Sequence, residues 1–281
     1  MALVSPVTTD DLQEVGEFLH DQLNARVPAA SWANSVQVPW PVAQPNYGFK
    51  LTDENSNIVG VLLAFYSERT IGGRVEKFCN LGAWCVLPAY RLGSVRMLRT
   101  ALAQPGFTFT DLSPSGAVVP LNERLGFDRL PTTVQLVPCL PLPALRTEAV
   151  DDPDEIDRLL TGDDLRIYRD HRRASAAHHV VLRRAGHQCY VIYRRDRRRN
   201  VPAFVSVLYV SDAAEFRKSL IAFGAYVVRR RQAAALLLEE RTVGRVFFAR
   251  RLQGRPKMFK SATIRAEHVD NLYSELTCVA W

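Results

Sequence analysis

The stretch LGAWCVLPAYRLGSVRMLRTAL, residues 81–102, carries more structural information than any other part of the chain. Residues 81–87 are apolar and compatible with a β-strand, and Pro88 ends that strand because proline cannot donate a hydrogen bond to a central ladder. Apolar residues then recur at helical spacing, at Val95, Leu98 and Leu102. The stretch therefore predicts a strand, a tight turn and a helix.

The start of this helix has the components of an anion site. A helix that begins at the turn points its free N–H groups and the positive end of its dipole outward. Arg91 lies at the same end. The sequence therefore predicts a turn that can bind a phosphate.

A second segment, GFTFTDLSPSGAVVPLNERLGF at residues 106–127, predicts a short strand, a turn and a short helix. Phe107 and Phe109 alternate in the strand, Ser113 to Ser115 form the turn, and the helix ends in Leu125-Gly126-Phe127. In their order and separation, the two segments resemble the fourth strand, pyrophosphate turn, fifth strand and terminal "LGF" of the GNAT (GCN5-related) acyltransferases. The resemblance implies a GNAT domain over residues 1–140.

The resemblance also implies acetyl-CoA or another acyl-CoA as cofactor. In that family a β-bulge splays the fourth strand from the fifth, and the pantetheine arm inserts between them. The arm would pair with the backbone of four residues, Trp84, Cys85, Val86 and Leu87. The pyrophosphate would meet the N–H groups of Arg91, Leu92, Gly93, Ser94 and Val95. Ser113 and Asn122 would hydrogen-bond the pantetheine arm.

Two positions depart from the family's pattern. The glycine of the turn is displaced by one, so Ser94 and Arg96 stand where the family has small residues. This change either weakens cofactor binding or implies a shifted turn in which Arg96 itself meets phosphate. Asn122 occupies the place of a tyrosine that in many family members protonates the departing thiolate, and an amide cannot act as an acid.

A general base is harder to identify, because direct acyl transfer needs a group that takes a proton from the acceptor. The candidates are Glu76 and Asn80 on or beside the fourth strand, and Asp111 at the end of the fifth. In the second half, the adjacent histidines His178 and His179 are either a candidate base or residues with a structural role. The catalytic base therefore stays unassigned at this point.

The composition fits a cytoplasmic protein of two domains. At 281 residues and 47% hydrophobic residues, the chain can bury more than one core. We find no run of eighteen apolar residues and no signal peptide, so no membrane association is expected. The five cysteines are odd in number and widely spaced, which favours reduced, mostly buried thiols and no metal site.

Charge is unevenly distributed along the chain. Residues 1–150 carry a net charge of −2 and the remainder carries +9, with arginine clusters at 172–173, 183–184, 194–199, 229–231 and 250–251. These arginines either attract an anionic acceptor or are the solvated ends of strands. Nucleic acid is not the expected partner, since interleaved aromatic residues, a zinc-finger spacing and a helix-turn-helix signal are all missing.

The second half repeats the order of the first, which predicts a degenerate GNAT-like domain over residues 141–281. Strands are predicted at residues 179–183, 189–193, 203–210, 233–238 and 245–251, and a helix follows Ser211-Asp212. The fold class is therefore α+β, with two GNAT-like domains that each have a mixed, mostly antiparallel sheet flanked by helices. In the second copy Asp212 would repel a phosphate, so no acyl-CoA is expected there.

The chain ends in an apolar tail. We expect it to dock as a strand or to pack Tyr273 and Trp281 into a cleft, and an interface role, including a homodimer, is the functional reading.

Two classes of function follow from these observations. The first is an acyltransferase that moves an acetyl or acyl group directly from acyl-CoA to an amine or hydroxyl of a small-molecule or saccharide acceptor. The second is a non-catalytic GNAT-like binding or regulatory protein, which Ser94 and Asn122 favour. Tandem GNAT-like proteins also include aminoacyl-tRNA-dependent ligases, for which the basic second half would suit the tRNA, whereas the Pro-x-Tyr-Arg turn favours CoA.

Overall fold

The structure is a computed structural model that describes residues 2–142, 146–198, 201–230 and 233–280. Within these residues, two mixed sheets of seven strands each are flanked by helices, which confirms the predicted α+β class. None of the described helices is long and apolar enough to cross a bilayer.

The first half of the chain forms six strands and four helices among the described residues. They are β1 (Leu3–Pro6), α1 (Leu12–Gln22), α2 (Ala29–Ser35), β2 (Gly48–Thr52), β3 (Ile58–Ile71), β4 (Arg74–Val86), α3 (Arg91–Leu102), β5 (Phe107–Asp111), α4 (Val119–Arg124) and β6 (Asp128–Arg129).

The remaining strands and helices follow from residue 133 onward. They are β7 (Thr133–Pro138), β8 (Glu148–Val150), α5 (Pro153–Leu159), α6 (Gly162–His171), β9 (His178–Arg184), β10 (His187–Arg198), β11 (Val201–Val210), α7 (Ala213–Arg229), β12 (Ala235–Glu239), α8 (Glu240–Val243), β13 (Arg250–Gln253), β14 (Met258–Lys260) and α9 (Glu275–Cys278). Short 3-10 turns lie at Thr9–Asp11, Pro88–Tyr90 and Ala266–His268.

The two sheets match strand for strand. The first has the order β1-β2-β3-β4-β5-β14-β6, and the second has the order β8-β9-β10-β11-β12-β7-β13. In each sheet only the fourth and fifth strands of this order, β4 with β5 and β11 with β12, are paired in parallel among the described residues. The second half therefore repeats the architecture of the first, as the order of elements predicts.

The sixth strand of each sheet follows, in sequence, the seventh strand of the other sheet. β14, near the C-terminus, lies between β5 and β6, while β7, which follows β6 directly, lies between β12 and β13. The compact units are accordingly residues 1–130 with 256–269 and 273–281, and residues 131–255 with 270–272. This division differs from the predicted boundary at residue 140, because a short apolar strand carries no local signal of which sheet it will join.

Each unit has its own core. In the first, β3 is buried along most of its length, and Met97, Leu98 and Ala101 of α3 belong to the same buried cluster as Leu62 and Ala64 of that strand. In the second, the predicted apolar face of α7 is buried, at Phe216, Leu220, Phe223 and Val227. Both helices are amphipathic, so one stripe of each covers its sheet.

The strand predicted at residues 245–251 is instead β13, four residues long and shifted toward the C-terminus. Val246 is buried and its N–H donates to Gln135 Oε1 at 2.6 Å, while Phe247 and Phe248 are exposed in the loop. The apolar pattern of residues 245–251 therefore does not mark the start of the strand, because Val246 is buried in the loop that precedes β13.

The C-terminal tail belongs to the first unit except for residues 270–272, which belong to the second. β14 joins the first sheet, and the Tyr273 ring packs edge-on against Trp40 with centroids 5.1 Å apart. Trp281 lies outside the described residues. The tail thus supplies both a strand and a buried helix, α9, to the unit that carries the candidate site.

Candidate active site

β4 and β5 separate where the sequence predicts a cofactor cleft. They pair from Lys77↔Phe107 to Asn80↔Thr110, and β4 then continues to Val86 with no described strand on that edge. On the other edge, Val61 pairs with Cys85 and Leu63 with Gly82, so two residues of β4 face one residue of β3. This is a β-bulge, and it turns β4 away from β5.

A bulge of this kind needs an unusual backbone. Ala83, inside the bulge, has φ of +49°. A non-glycine residue in this left-handed region costs roughly 1–2 kcal/mol, which the surrounding structure must offset. The divergence of β4 from β5 is therefore imposed by the fold and is not a frayed strand end.

The opening between the strands is a cavity of about 160 Å³. Its lining includes Leu62, Leu81, Gly82, Ala83, Trp84, Leu98, Asp111, Ser113 and Val118. The walls are largely apolar, but the indole Nε1 of Trp84 is buried with no acceptor among the described residues. The lining thus joins apolar walls to one carboxyl group, that of Asp111.

The helix that follows β4 begins with uncapped amides. α3 starts at Arg91 after the Pro88–Tyr90 turn, with no side-chain cap and no acidic residue in its first turn. Arg91 and Leu92 are exposed there. Free N–H groups, the positive end of the helix dipole and the exposed side chain of Arg91 therefore lie at the same end of α3.

The other residues of this turn have local partners. A Cβ at Gly93 would lie 2.8 Å from Leu51 Cδ2, so the glycine lets α3 approach β2 closely. Ser94 Oγ donates to the Arg91 carbonyl at 2.6 Å, and the Arg96 guanidinium donates to the Ala2 carbonyl. The displaced glycine either weakens cofactor binding or implies a shifted turn in which Arg96 meets phosphate. In the second case, the bond from Arg96 to the Ala2 carbonyl would have to break.

The two predicted pantetheine contacts on the β5 side differ in accessibility. Ser113 lines the cavity, and its Oγ donates to Glu275 Oε1 at 2.7 Å. Asn122 is 1% exposed, and its Nδ2 donates to Asp111 Oδ2 at 2.9 Å. In the structure both side chains therefore bind carboxyl groups of the protein.

The three candidate bases also differ. Glu76 accepts a hydrogen bond from Thr263 Oγ1 at 3.1 Å outside the cavity lining. Asn80 is buried, donates to Thr110 Oγ1 at 3.1 Å and accepts from the Glu275 N–H at 3.0 Å, which ties β4 to β5 and α9. Only Asp111 both lines the cavity and carries a titratable group.

The environment of Asp111 shifts its protonation. Burial, and then the charge of Glu275, raise its pKa to about 7, against the opposing hydrogen bonds from Asn122 and the Ser113 backbone. A carboxyl group with this pKa can exchange a proton near neutral pH, which is what general acid–base chemistry requires.

Glu275, which is not among the site residues predicted from the sequence, is the other carboxyl group near the cavity. It begins α9, is fully buried, and lies against Gly82, where an added Cβ would be 3.1 Å from the Glu275 Cβ. One signal was present in the sequence: Glu275 is the only charged residue in the apolar run from Leu272 to Val279. A carboxyl group in such a run is costly to bury without a purpose or a partner.

The second copy keeps the bulge but closes the helix start. Between Ile192↔Tyr209 and Tyr193↔Val207 the register of β11 shifts by one residue. At the N-terminus of α7, however, Asp212 Oδ1 accepts from the N–H groups of Ala214 at 2.7 Å and Glu215 at 2.9 Å. These bonds lower the pKa of Asp212, so the capping group is a carboxylate in the place an anion would occupy.

The Asp212 cap gives a direct stability prediction. Asp212→Ala removes both cap bonds and should destabilise the protein by about 1 kcal/mol, as for other N-cap deletions. Urea denaturation would measure the change, and Asp212→Asn, which keeps the acceptor, should recover most of it. Equal losses in the two variants would contradict the assignment of the cap.

The paired histidines have structural partners. The His171 carbonyl accepts from His179 Nε2 at 3.2 Å, so His179 Nδ1 accepts from the Tyr190 hydroxyl at 2.7 Å. Burial lowers the pKa of His179 to about 4, and the His178 ring stacks on Tyr193. These contacts favour the structural reading of the pair.

Several arginines of the predicted clusters form ion pairs at strand or helix ends. Arg183 pairs with Glu148 at 3.1 Å and Arg251 with Glu240 at 3.0 Å, while Arg230 pairs with Asp151. Arg172 and Arg173 are exposed beside a second cavity in their own unit. Arg199 and Arg231 lie outside the described residues. The clusters are thus partly neutralised locally.

Cys85, on β4, is half-buried, and burial raises the pKa of its thiol. A thiol so shifted is a poor nucleophile at neutral pH, which favours packing over covalent catalysis.

Comparison with solved structures identifies the class of fold. A GCN5-related N-acetyltransferase from Anabaena variabilis superposes with a TM-score of 0.59 at 13% identity, over 92% of this chain and 72% of that one. A putative acetyltransferase from Pyrococcus horikoshii gives a TM-score of 0.58 at 16% identity, over 96% and 92% of the two chains. Yeast N-myristoyltransferase, solved with bound myristoyl-CoA, gives 0.51 at 10% identity, over 99% and 86%.

No family model and no curated protein matches the sequence, so the similarity is one of structure. The chain has the GNAT fold in two copies, as the two sequence segments and the repeated order of elements predict.

Proposed function

We propose that this protein is an acyltransferase that uses acyl-CoA and binds it in the first unit, between β4 and β5. The observation that carries the proposal is the divergence of these strands at the bulge, next to the uncapped start of α3. The acyl-CoA supplies an activated thioester, and the chain transfers the acyl group directly to an amine or hydroxyl acceptor.

The residues present fit such a donor. The edge of β4 from Trp84 to Val86 offers backbone groups to the amides of the pantetheine arm. Leu87 does not, because its N–H donates to the Val59 carbonyl and its carbonyl accepts from the Tyr90 N–H. The free amides at the start of α3, from Arg91 to Gly93, together with the Arg91 guanidinium, suit a pyrophosphate, whereas the predicted amides of Ser94 and Val95 lie inside the hydrogen-bonded helix. Apolar walls and a volume of about 160 Å³ favour acetyl or another short acyl group.

The acceptor is proposed as a small molecule or saccharide. Exposed arginines of the second unit, such as Arg172 and Arg173, fit an anionic one by long-range attraction. The five cysteines are all free, which supports a reducing compartment, the cytoplasm.

One observation favours a non-catalytic binding protein instead. Asn122, at the place of the family's tyrosine acid, binds Asp111 and cannot protonate a thiolate. Acyl-CoA binding without turnover would support this second function.

Arg91→Glu tests the donor site. The change places a carboxylate beside the pyrophosphate and should weaken acetyl-CoA binding about ten-fold or more, since ten-fold is 1.4 kcal/mol. Isothermal calorimetry with acetyl-CoA measures it. Arg99→Glu is the matched control, because Arg99 is also exposed on α3 but lies about 12 Å further along its axis.

Both variants reverse one exposed charge, so general effects of net charge cancel in the comparison. Equal affinities of wild type and Arg91→Glu, or equal losses in the two variants, would overturn the assignment of the turn.

A further inference from the structure

We infer that Asp111 is the proton acceptor of the transfer and that Glu275, supplied by the C-terminal segment, is the positioning residue that tunes it. The inference rests on the proposed function and adds to it the catalytic base, which neither the sequence pattern nor the comparisons assign.

Asp111 is placed where a base must be. It ends β5, the strand that borders the cavity, and it belongs to the cavity lining. Asn122 Nδ2 donates to its Oδ2 at 2.9 Å, and the Ser113 backbone N–H also hydrogen-bonds the carboxyl group. These bonds orient the group, while its place in the lining lets a ligand in the cavity reach it.

Glu275 is coupled to Asp111 through a single residue. Ser113 gives its backbone N–H to Asp111 and its Oγ to Glu275 Oε1, at 2.7 Å. Asn80 holds the start of α9 by accepting the Glu275 N–H, and Gly82 leaves room for the side chain. Two carboxyl groups in one buried network cannot both ionise easily, so one proton is retained near neutral pH.

The charged groups on the neighbouring elements are directed elsewhere or bound. Lys260 of β14 donates to the Leu125 carbonyl, Glu123 of α4 pairs with Arg129 of β6, and Glu76 of β4 binds Thr263. Lys257, directly before the strand partner of Asp111, is buried and has its own interactions. Among the residues that the structure describes, Glu275 is the charged group that raises the pKa of Asp111.

The step balances without another reactant. The acceptor nitrogen or oxygen forms a bond to the thioester carbonyl carbon, the C–S bond breaks, and its electron pair leaves on the CoA sulfur. The acceptor proton passes to the Asp111 carboxylate and then to the thiolate, which gives free CoA. Asp111 therefore serves for both proton transfers, which suits a chain with an amide, Asn122, at the family's acid position.

The test follows the release of CoA thiol from acetyl-CoA, with water as the acceptor, against pH. In wild type the rate should rise about ten-fold per pH unit below the pKa of Asp111 and level off above it. Asp111→Asn should lower the plateau at least 100-fold and leave acetyl-CoA affinity, measured by calorimetry, within about three-fold. Retained turnover in Asp111→Asn would overturn the inference.

Glu275→Gln distinguishes tuning from a structural role. Loss of the neighbouring charge should move the acid limb to lower pH by about one unit, so the ratio of the rates at pH 6 and pH 8 rises. A structural role alone would lower the rate equally at every pH, and an unmoved limb would overturn the role of Glu275. Glu267→Gln is the control, because Glu267 is an exposed carboxylate of the same segment.

A second measurement does not depend on Glu275→Gln folding or on turnover. Difference infrared spectroscopy of wild type should show a protonated carboxyl band that is lost near pH 7 and is missing from Asp111→Asn. A missing band in wild type would contradict the inference alone, whereas failure of wild type to bind acetyl-CoA would contradict the proposed function and leave the band unaffected.

Discussion

A fragment of residues 1–140 should fail to fold into a stable domain, although it spans the whole GNAT pattern of the first half. It lacks β14, which lies between β5 and β6, and it lacks α9. Met258, Phe259, Ile264 and Val269 leave the core with them. At about 1.5–3 kcal/mol for each buried side chain, the loss is comparable with the roughly 5–15 kcal/mol that stabilises a domain.

Circular dichroism with thermal melting would measure this, with the full chain as reference. A matched control chain joins residue 130 to residue 256 through a flexible linker and keeps residues 256–281, which restores the missing strand. This second chain should unfold cooperatively. Cooperative unfolding of residues 1–140 at a temperature close to that of the full chain would show that β14 is dispensable.

Asp111→Asn should stabilise the protein at alkaline pH while it removes activity. The pKa of Asp111 rises from 3.8 in its ordinary state to about 7 in the fold, so the folded state holds a proton that the unfolded chain has released. Stability therefore falls as pH rises from about 4 to 7, and the cost at pH 8 is about 4 kcal/mol at most. An amide in this place carries no such cost.

Urea denaturation of wild type and Asp111→Asn at pH 5 and pH 8 gives the test. The gain in free energy of unfolding should be larger at pH 8 than at pH 5. Asp128→Asn, an exposed site on β6, should show little change at either pH. A gain that is the same at both pH values would mean that Asp111 is not protonated in the fold.

Much of the first unit could be predicted from local pattern. The run from Leu81 to Leu102 predicts a strand, a turn and a helix because the proline and the change of apolar period mark the boundaries. The apolar face of α7, in the second unit, could likewise be predicted from the local sequence alone. Packing explains the glycine at position 93, because a side chain there would clash with Leu51, and a bound phosphate is not needed to account for it.

The candidate site was predictable only in part, because its chemistry joins distant segments. Asp111 was among the candidates from its place at a strand end. The partner that shifts its pKa, Glu275, is more than 160 positions away in sequence. No spacing rule connects the two, and the exchange of β7 and β14 that brings the tail to the first sheet depends on tertiary pairing alone.

β14 belongs to the first sheet but follows the strands of the second sheet in sequence, so the first sheet cannot be completed until β14 has been synthesised. β6 leaves the ribosome about 130 residues before β14, which at about 5–20 residues per second is a delay of roughly 7–26 s. Throughout that interval the edge of β5 has no neighbour to pair with, and an open strand edge invites pairing with other chains. The nascent first half must therefore stay separate from its neighbours until β14, the strand that covers this edge, has been synthesised.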